Sequence, residues 1–230
     1  MPLTPSLYPL TARSTVYGVI LNDSASLQAL DIPAGALAAA PYKGAPRAPV
    51  LYIKPANTHV SAHVGTGATV TLPPGAQHVE VAATVGLVLG RDAAQLAPAD
   101  ALNAVSHLVL VADLSLPHAS YYRPAIREKC FDGALPLAQP QPLQEVGDVR
   151  TLVLRTEIDG VQVAERRLDD LIRPPAQLLA DVTEFMTLRA GDVLLLGVRY
   201  QAPQAATGSR VRVEAVGLGT LEFDIAGESA

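Results

Sequence analysis

Residues 79–90 read VEVAATVGLVLG, and this run decides the fold class. It is apolar over almost its whole length, rich in valine, and closed by Gly90. A run of this kind reads as a strand buried on both faces, because an exposed face would impose a polar residue at every second position. His107–Ala112 (HLVLVA) is a second such strand, ending at Asp113. Outward from this pair, Val16–Leu21, Val50–Ile53 and Val70–Leu72 add short strands, the last stopped by Pro73-Pro74-Gly75. Leu152–Ile158 and Val161–Glu165 flank Asp159-Gly160, a dipeptide suited to the two left-handed positions of a type I′ hairpin. Val193–Leu196, Arg210–Ala215 and Thr220–Ile225 complete the set. Pro98 opens a helix over Ala99–Ser106, and Pro175 opens one over Ala176–Leu188 with apolar Leu178, Leu179, Val182, Phe185 and Met186 on one stripe. The expectation is a mixed, mainly β fold with a few flanking helices. Residues 1–47 read as an N-terminal arm and small cap region, and residues 48–230 as one β domain.

Composition bounds the function. The chain has 230 residues, 49% hydrophobic and 17% charged, which excludes a disordered chain. Tryptophan is absent and only three Phe and seven Tyr are present, so the core is aliphatic. Seventeen basic residues face 22 acidic ones with no basic run, which argues against a nucleic-acid partner. No apolar run reaches the length of a membrane span, and the opening MPLTPSLYPLTAR lacks the pattern of a secretory leader. These features suit a soluble cytoplasmic protein, and the high apolar fraction suits one with buried subunit interfaces.

Generic catalytic motifs are missing: there is no Walker loop, no Gly-x-Gly-x-x-Gly and no Gly-x-Ser-x-Gly. Cys130 is the one cysteine, which excludes an internal disulfide and a thiolate zinc site, and it reads as a small buried hydrophobe. His59 and His63 fall in a Gly/Thr-rich stretch and read as loop histidines. Asp169-Asp170 and Glu165-Arg166-Arg167 read as surface charge. The informative stretch is Ala112–Gly133, ADLSLPHASYYRPAIREKCFDG, a polar loop that follows a buried strand. Such loops are where sites concentrate.

Several segments together resemble the fumarylacetoacetate hydrolase superfamily. They are Ile53-Lys54-Pro55, Val81–Gly90, Ala112–Ser115, Lys129–Asp132, Gly191–Gly197 (GDVLLLG) and Val216–Leu221 (VGLGTL), in that order over residues 16–225. The stretch SLP…YYRPAI…KC…DG is similar to the N-terminal half, or separate first subunit, of the bifunctional isomerase/decarboxylases of 4-hydroxyphenylacetate (homoprotocatechuate) degradation. The resemblance implies a β-roll or sandwich fold. It also implies a substrate that is a small 2-oxo or enol di- or tricarboxylate. The named substrates would be 5-oxopent-3-ene-1,2,5-tricarboxylate and 2-hydroxyhepta-2,4-diene-1,7-dioate. A divalent cation, Mg²⁺ or another, would polarise the carbonyl and stabilise the enolate.

Carried over residue by residue, the resemblance is incomplete. The family's metal site uses a Glu-x-Glu on a strand and an Asp on a later one. The Asp is Asp113, but the Glu positions are Ala82 and Thr84. Glu80 shares their strand face one step further on, about 6.5 Å away. A His-Glu pair that hydrolytic members carry after a Leu-Asn motif falls at Ser26 and Ala29, although Leu21-Asn22 is kept. Pro117 and Ser120 replace a polar pair, and Val198 stands where a Thr is common. Lys129 matches an active-site Lys and Lys54 the Lys before Pro. The resemblance thus assigns Lys129 and Asp113 to catalysis, and Lys54, Tyr122, Arg123 and Asp132 to substrate binding. Two readings follow. In one, the chain is an isomerase/decarboxylase subunit using the modified site. In the other, it is a catalytically degenerate subunit that pairs with a homologous subunit carrying the intact metal site. Either fits a homodimer or a hetero-oligomer.

Overall fold

The computed structural model describes residues 14–30, 46–118 and 125–227. Its strands are β1 (Val16–Ile20), β2 (Val50–Lys54), β3 (His59–Ser61), β4 (Ala68–Thr71), β5 (His78–Leu89), β6 (Val105–Ser115), β7 (Leu135–Leu137), β8 (Gln141–Pro142), β9 (Val153–Ile158), β10 (Val161–Arg167), β11 (Val193–Leu195), β12 (Gln204–Ala206), β13 (Arg210–Ala215) and β14 (Gly219–Ala226). Its α-helices are α1 (Ser24–Ala29), α2 (Ile126–Lys129), α3 (Leu143–Val146) and α4 (Pro175–Phe185). The mainly β class expected from the sequence is observed.

Strands β5 and β6 pair antiparallel along nearly their whole length, from Glu80 opposite Ser115 to Leu89 opposite Val105. They form the centre of a nine-stranded sheet ordered β2-β1-β11-β5-β6-β7-β3, with β12 and β8 added at β5 and β6. The strand read from the N-terminal region, β1, is part of this sheet, between β2 and β11. A five-stranded sheet, β10-β9-β13-β14-β4, packs on one face.

Side-chain parity explains the continuous apolar run. On β5, Val79, Val81, Ala83, Val85, Leu87 and Leu89 point into the core shared with the second sheet, where they meet Val211, Val213, Leu221 and Phe223. The residues between them face the other way. There the large sheet curls upon itself, and Val88, Val109, Val111, Val16, Val193 and Leu195 form a second buried cluster. Both faces are covered, so no polar alternation is needed. The curled face turns polar toward one end: Val109 and Val111 on β6 give way to Asp113 and Ser115. Directly opposite them stand Ala82 and Glu80 on β5.

Local signals hold where they are strong. Asp159 and Gly160 have φ of 53° and 78°, as a type I′ turn requires. Helix α4 starts at Pro175 and buries Leu178, Leu179 and Val182. The helix expected over Ala99–Ser106 is a single 3₁₀ turn, Ala101–Ala104, because β6 begins at Val105 and takes the chain into the sheet. Residues 31–45 of the expected cap region lie outside the described residues. Among the described residues no helix is long and apolar enough to cross a membrane.

Candidate functional site

The polar end of the curled face opens into a cavity of about 470 Å³. Asp113, Tyr52 and Lys129 line it, and Lys54 is buried beside Asp113. Asp113 comes from β6, where it is fully buried. Lys54 and Tyr52 come from β2, which reaches the site because Val16 and Gly18 on β1 stand opposite them. Lys129 comes from α2, the short helix that ends the Ala112–Gly133 loop.

These four side chains form one network. Lys54 Nζ lies 2.8 Å from Asp113 Oδ1, with neither side chain exposed. The same ammonium donates to the carbonyls of Leu114 (2.7 Å), Lys129 (2.7 Å) and Ala134 (3.0 Å). Lys129 Nζ approaches Asp113 Oδ1 at 3.4 Å and sits 4.6 Å over the Tyr52 ring, a cation–π contact. The Tyr52 hydroxyl donates to Asp113 Oδ2. Burial pushes the Asp113 carboxyl up, but the Lys129 and Lys54 ammonium groups and the Tyr52 hydroxyl overcome it and hold the group below its usual range. Burial pulls the Lys54 ammonium down to about 8 against the attraction of Asp113, so it stays charged at neutral pH. Burial and Asp113 raise the Tyr52 hydroxyl well above its ordinary value, which keeps it a donor.

Gly18 is required here for a steric reason. A Cβ at this position would lie 2.0 Å from Cζ of Tyr52, so the ring lies against bare backbone. Gly18→Ala therefore displaces Tyr52 from Asp113. We expect a loss of about 1–3 kcal/mol in stability, read by denaturant titration. A Gly18→Ala protein as stable as the parent would show that the ring has another place to go.

The other assigned residues fall differently. Asp132 is exposed and accepts from Asn57 Nδ2 at 2.7 Å, away from the cavity lining. Tyr122 and Arg123 lie outside the described residues. Ser26, at one of the two positions where the resemblance sets a His-Glu pair, is buried; its hydroxyl donates to Asp23 Oδ2 (2.8 Å) and accepts from the Tyr200 N–H (2.9 Å). Leu21, at φ 59°, turns the chain from β1 into α1. Asn22 then ties that turn to the carbonyls of Leu196 and Arg173. The turn is thus held by hydrogen bonds, and Leu21 and Ser26 stand in the cavity wall. Cys130 is half-buried, its thiol donates to the Ile53 carbonyl at 3.3 Å, and burial pushes it up, which does not favour a thiolate. His63 pairs with the Ser61 hydroxyl at 3.2 Å.

Sequence reasoning missed Tyr52, whose role depends on a partner 61 positions away. It also misread Glu165-Arg166-Arg167. Arg167 is exposed, but Arg166 is only 4% exposed and donates to the carbonyls of Ala83 (3.0 Å) and Gly197 (2.7 Å). The one available signal was the strand itself: on β10, Arg166 follows the opposite parity to Glu165 and Arg167.

The donor set does not fit a divalent cation. Mg²⁺ and its relatives need several oxygen ligands, usually including carboxylates. Ala82, directly opposite Asp113, offers none. The Thr84 hydroxyl is spent on the Gly197 carbonyl at 2.6 Å. Both oxygens of Asp113 are engaged by Lys54, Lys129 and Tyr52. Among the described residues no three His, Cys, Asp or Glu side chains group as a metal site. The metal expected at Asp113 from the resemblance therefore has no ligand shell here.

Comparison with known proteins places this geometry. The family model for the fumarylacetoacetate (FAA) hydrolase C-terminal domain matches residues 15–226. The chain is 37% identical over 216 residues to the 4-hydroxyphenylacetate degradation bifunctional isomerase/decarboxylase of Escherichia coli, covering 94% of this chain and 48% of that protein. It is 38% identical to the protein of that name from Salmonella dublin, with the same coverage. The chain thus spans about half the length of these curated relatives. The fold matches that of fumarylpyruvate hydrolase from Pseudomonas aeruginosa, solved with Mn²⁺ and pyruvate, at a TM-score of 0.80 and 21% identity over 96% of this chain and 91% of that one. A family match over residues 15–226, on a curled sheet with Asp113 at its polar end, leaves one conclusion: the chain belongs to the fumarylacetoacetate hydrolase family.

Proposed function

We propose that the chain is one half of a two-part isomerase/decarboxylase of aromatic catabolism. It would act in an assembly on 5-oxopent-3-ene-1,2,5-tricarboxylate and 2-hydroxyhepta-2,4-diene-1,7-dioate. The enolate-stabilising metal would sit in a homologous second half, and this chain would complete the assembly. The observation that carries this reading is the state of Asp113: among the described residues no carboxylates group with it as a metal site, and its charge is already met by two ammonium groups. The relatives' names and the coverage of about half their length support it.

In its own cavity the chain keeps groups suited to carboxylates. Lys129 is the reachable one, with 12% of its side chain exposed. Within this network two ammonium groups face one carboxylate; Glu80 lines the same cavity and feels the charge of Lys129, so an anion bound there would share Lys129 with it. Asp113 positions Lys129 and is held ionised, so it has no proton to give near neutral pH.

The test uses the purified chain, the tricarboxylate and Mg²⁺, followed by ultraviolet absorbance with a chelator control. The expected result is no chelator-sensitive turnover by the chain alone, and turnover once a homologous second subunit is added. Chelator-sensitive turnover by the chain alone would overturn the reading.

A further inference from the structure

The cavity at the polar end of the curled face has two unlike walls. On one side stand Ile20, Leu21, Ala82 and Val198. Ile20 and Val198 face each other in a parallel bridge, and Ile20 packs on the small buried cluster of Ala82, Val198 and Ala202. Ile53 of β2 and Ile126 of α2 add two exposed apolar side chains to the lining. On the other side stand Asp113 and Lys129, with Lys54 behind them. Asp113 lies directly opposite Ala82, so the apolar wall adjoins the charged network. The resemblance sets a glutamate at position 82 and often a Thr at 198, so the apolar wall stands where polar groups would be expected.

Several polar groups of the lining are already engaged within the protein. The Ser26 hydroxyl donates to Asp23, and the Ser115 hydroxyl donates to the Leu116 carbonyl at 3.2 Å. Arg199 donates to Asp170 at 3.0 Å. Lys54 has no exposed side-chain surface, whereas Lys129 has 12% of its side chain exposed. Glu80 shares the cavity, and the charges of His118 and Lys129 oppose the burial that pushes its carboxyl up. At this pole two ammonium groups thus meet two carboxyl groups, Asp113 and Glu80, with His118 within electrostatic reach of the second. One more negative charge can share Lys129. A ligand with three carboxylates would bring charges that no cation meets, against a wall that cannot solvate them.

We propose that this cavity binds a small monocarboxylate with an apolar body, its carboxylate at Lys129 and its body against Ile20, Ala82 and Val198. The inference goes beyond the two-half reading: it gives the chain's own cavity a ligand class unlike the tricarboxylate on which the assembly would act. Burial of the body against the apolar wall supplies the driving force, and the single carboxylate fixes the orientation. A cavity of about 470 Å³ that joins an apolar lining to a few convergent polar groups has the usual form of a small-molecule site.

The test needs no turnover and no metal. The full chain is titrated by calorimetry, with chelator present and at fixed ionic strength. The probes are 3-phenylpropanoate, its uncharged analogue 3-phenylpropan-1-ol, and propane-1,2,3-tricarboxylate. The expected result is that 3-phenylpropanoate binds at least tenfold more tightly than either of the others, and that Lys129→Met removes its advantage over the alcohol. The place of binding is read from isoleucine methyl resonances. That of Ile20, assigned by its loss in Ile20→Val, should shift saturably with 3-phenylpropanoate. That of Ile225, in the core between the two sheets, should stay. A tricarboxylate or an alcohol that binds the parent chain as tightly as 3-phenylpropanoate, or an Ile20 methyl that stays still, would overturn the proposal. If Lys129→Met does not fold, the titrations of the parent chain still decide. Because no second subunit is present, failure of the two-half assembly assay would leave this result standing.

Discussion

Lys54→Met lowers the melting temperature of the chain by roughly 10 °C. The change keeps the length and apolar stem of the side chain but removes the ammonium that sits between Asp113 and three carbonyls. Desolvation makes a buried ion pair a weak net stabiliser, yet removing one partner strands the other, at about 3–5 kcal/mol. For a chain of this size one kcal/mol is about 2–4 °C. Lys129 softens the loss, since it remains 3.4 Å from Asp113, but the carbonyls of Leu114 and Ala134 lose the donor that Lys54 supplies. The double variant Lys54→Met/Asp113→Leu should recover part of the loss, because no lone carboxylate is then left in the interior. Differential scanning calorimetry of the two variants separates the cases. A shift under about 2 °C for Lys54→Met would mean that water already reaches the pair.

The fold was legible because its signals are local. The apolar run of β5, the Asp159-Gly160 turn and the stripe of α4 each depend on residues a few positions apart, and each is observed within a few residues of its expected bounds. Residues 99–106 failed because helix propensity there competes with the pairing of β6 at Val105, a tertiary interaction that propensity does not contain. The site was half legible. Lys54, Asp113 and Lys129 converge, and that Ala82 and Thr84, where the resemblance sets Glu ligands, carry no carboxylate is visible in the letters alone. What was hidden is how the carboxylate is used. Tyr52 meets Asp113 only because Gly18 opens room for its ring on the neighbouring strand. Arg166 is buried only because β10 lays it across Ala83 and Gly197, 83 and 31 positions away. Charge runs invite a surface reading, and a twofold strand period can bury one member of a run while exposing its neighbours.

Placing carboxylates at positions 82 and 84, where the resemblance sets Glu ligands, should create a cation site beside Asp113, and the effect of each position tests the arrangement. In Ala82→Glu/Thr84→Glu, Mn²⁺ affinity should rise on the order of a hundredfold over the parent chain, measured by calorimetry and by the loss of the free Mn²⁺ paramagnetic signal, since hard cations follow the count of anionic oxygens. The two positions are not equivalent. A glutamate at 82 stands opposite Asp113 and faces the cavity. One at 84 replaces a hydroxyl bound to the Gly197 carbonyl, the same oxygen that Arg166 occupies at 2.7 Å. It therefore meets a guanidinium before it meets a metal, and the ion pair so formed competes with the cation. Adding Arg166→Met to the double variant should then tighten Mn²⁺ further, whereas the same change in the parent chain should leave its weak Mn²⁺ binding unaltered. Tight Mn²⁺ binding by the parent chain, or a double variant no better than the parent, would show that the missing carboxylates are not what keeps the cation out. The shared Gly197 carbonyl thus sets the Arg166 guanidinium beside position 84, where the resemblance sets an acidic ligand.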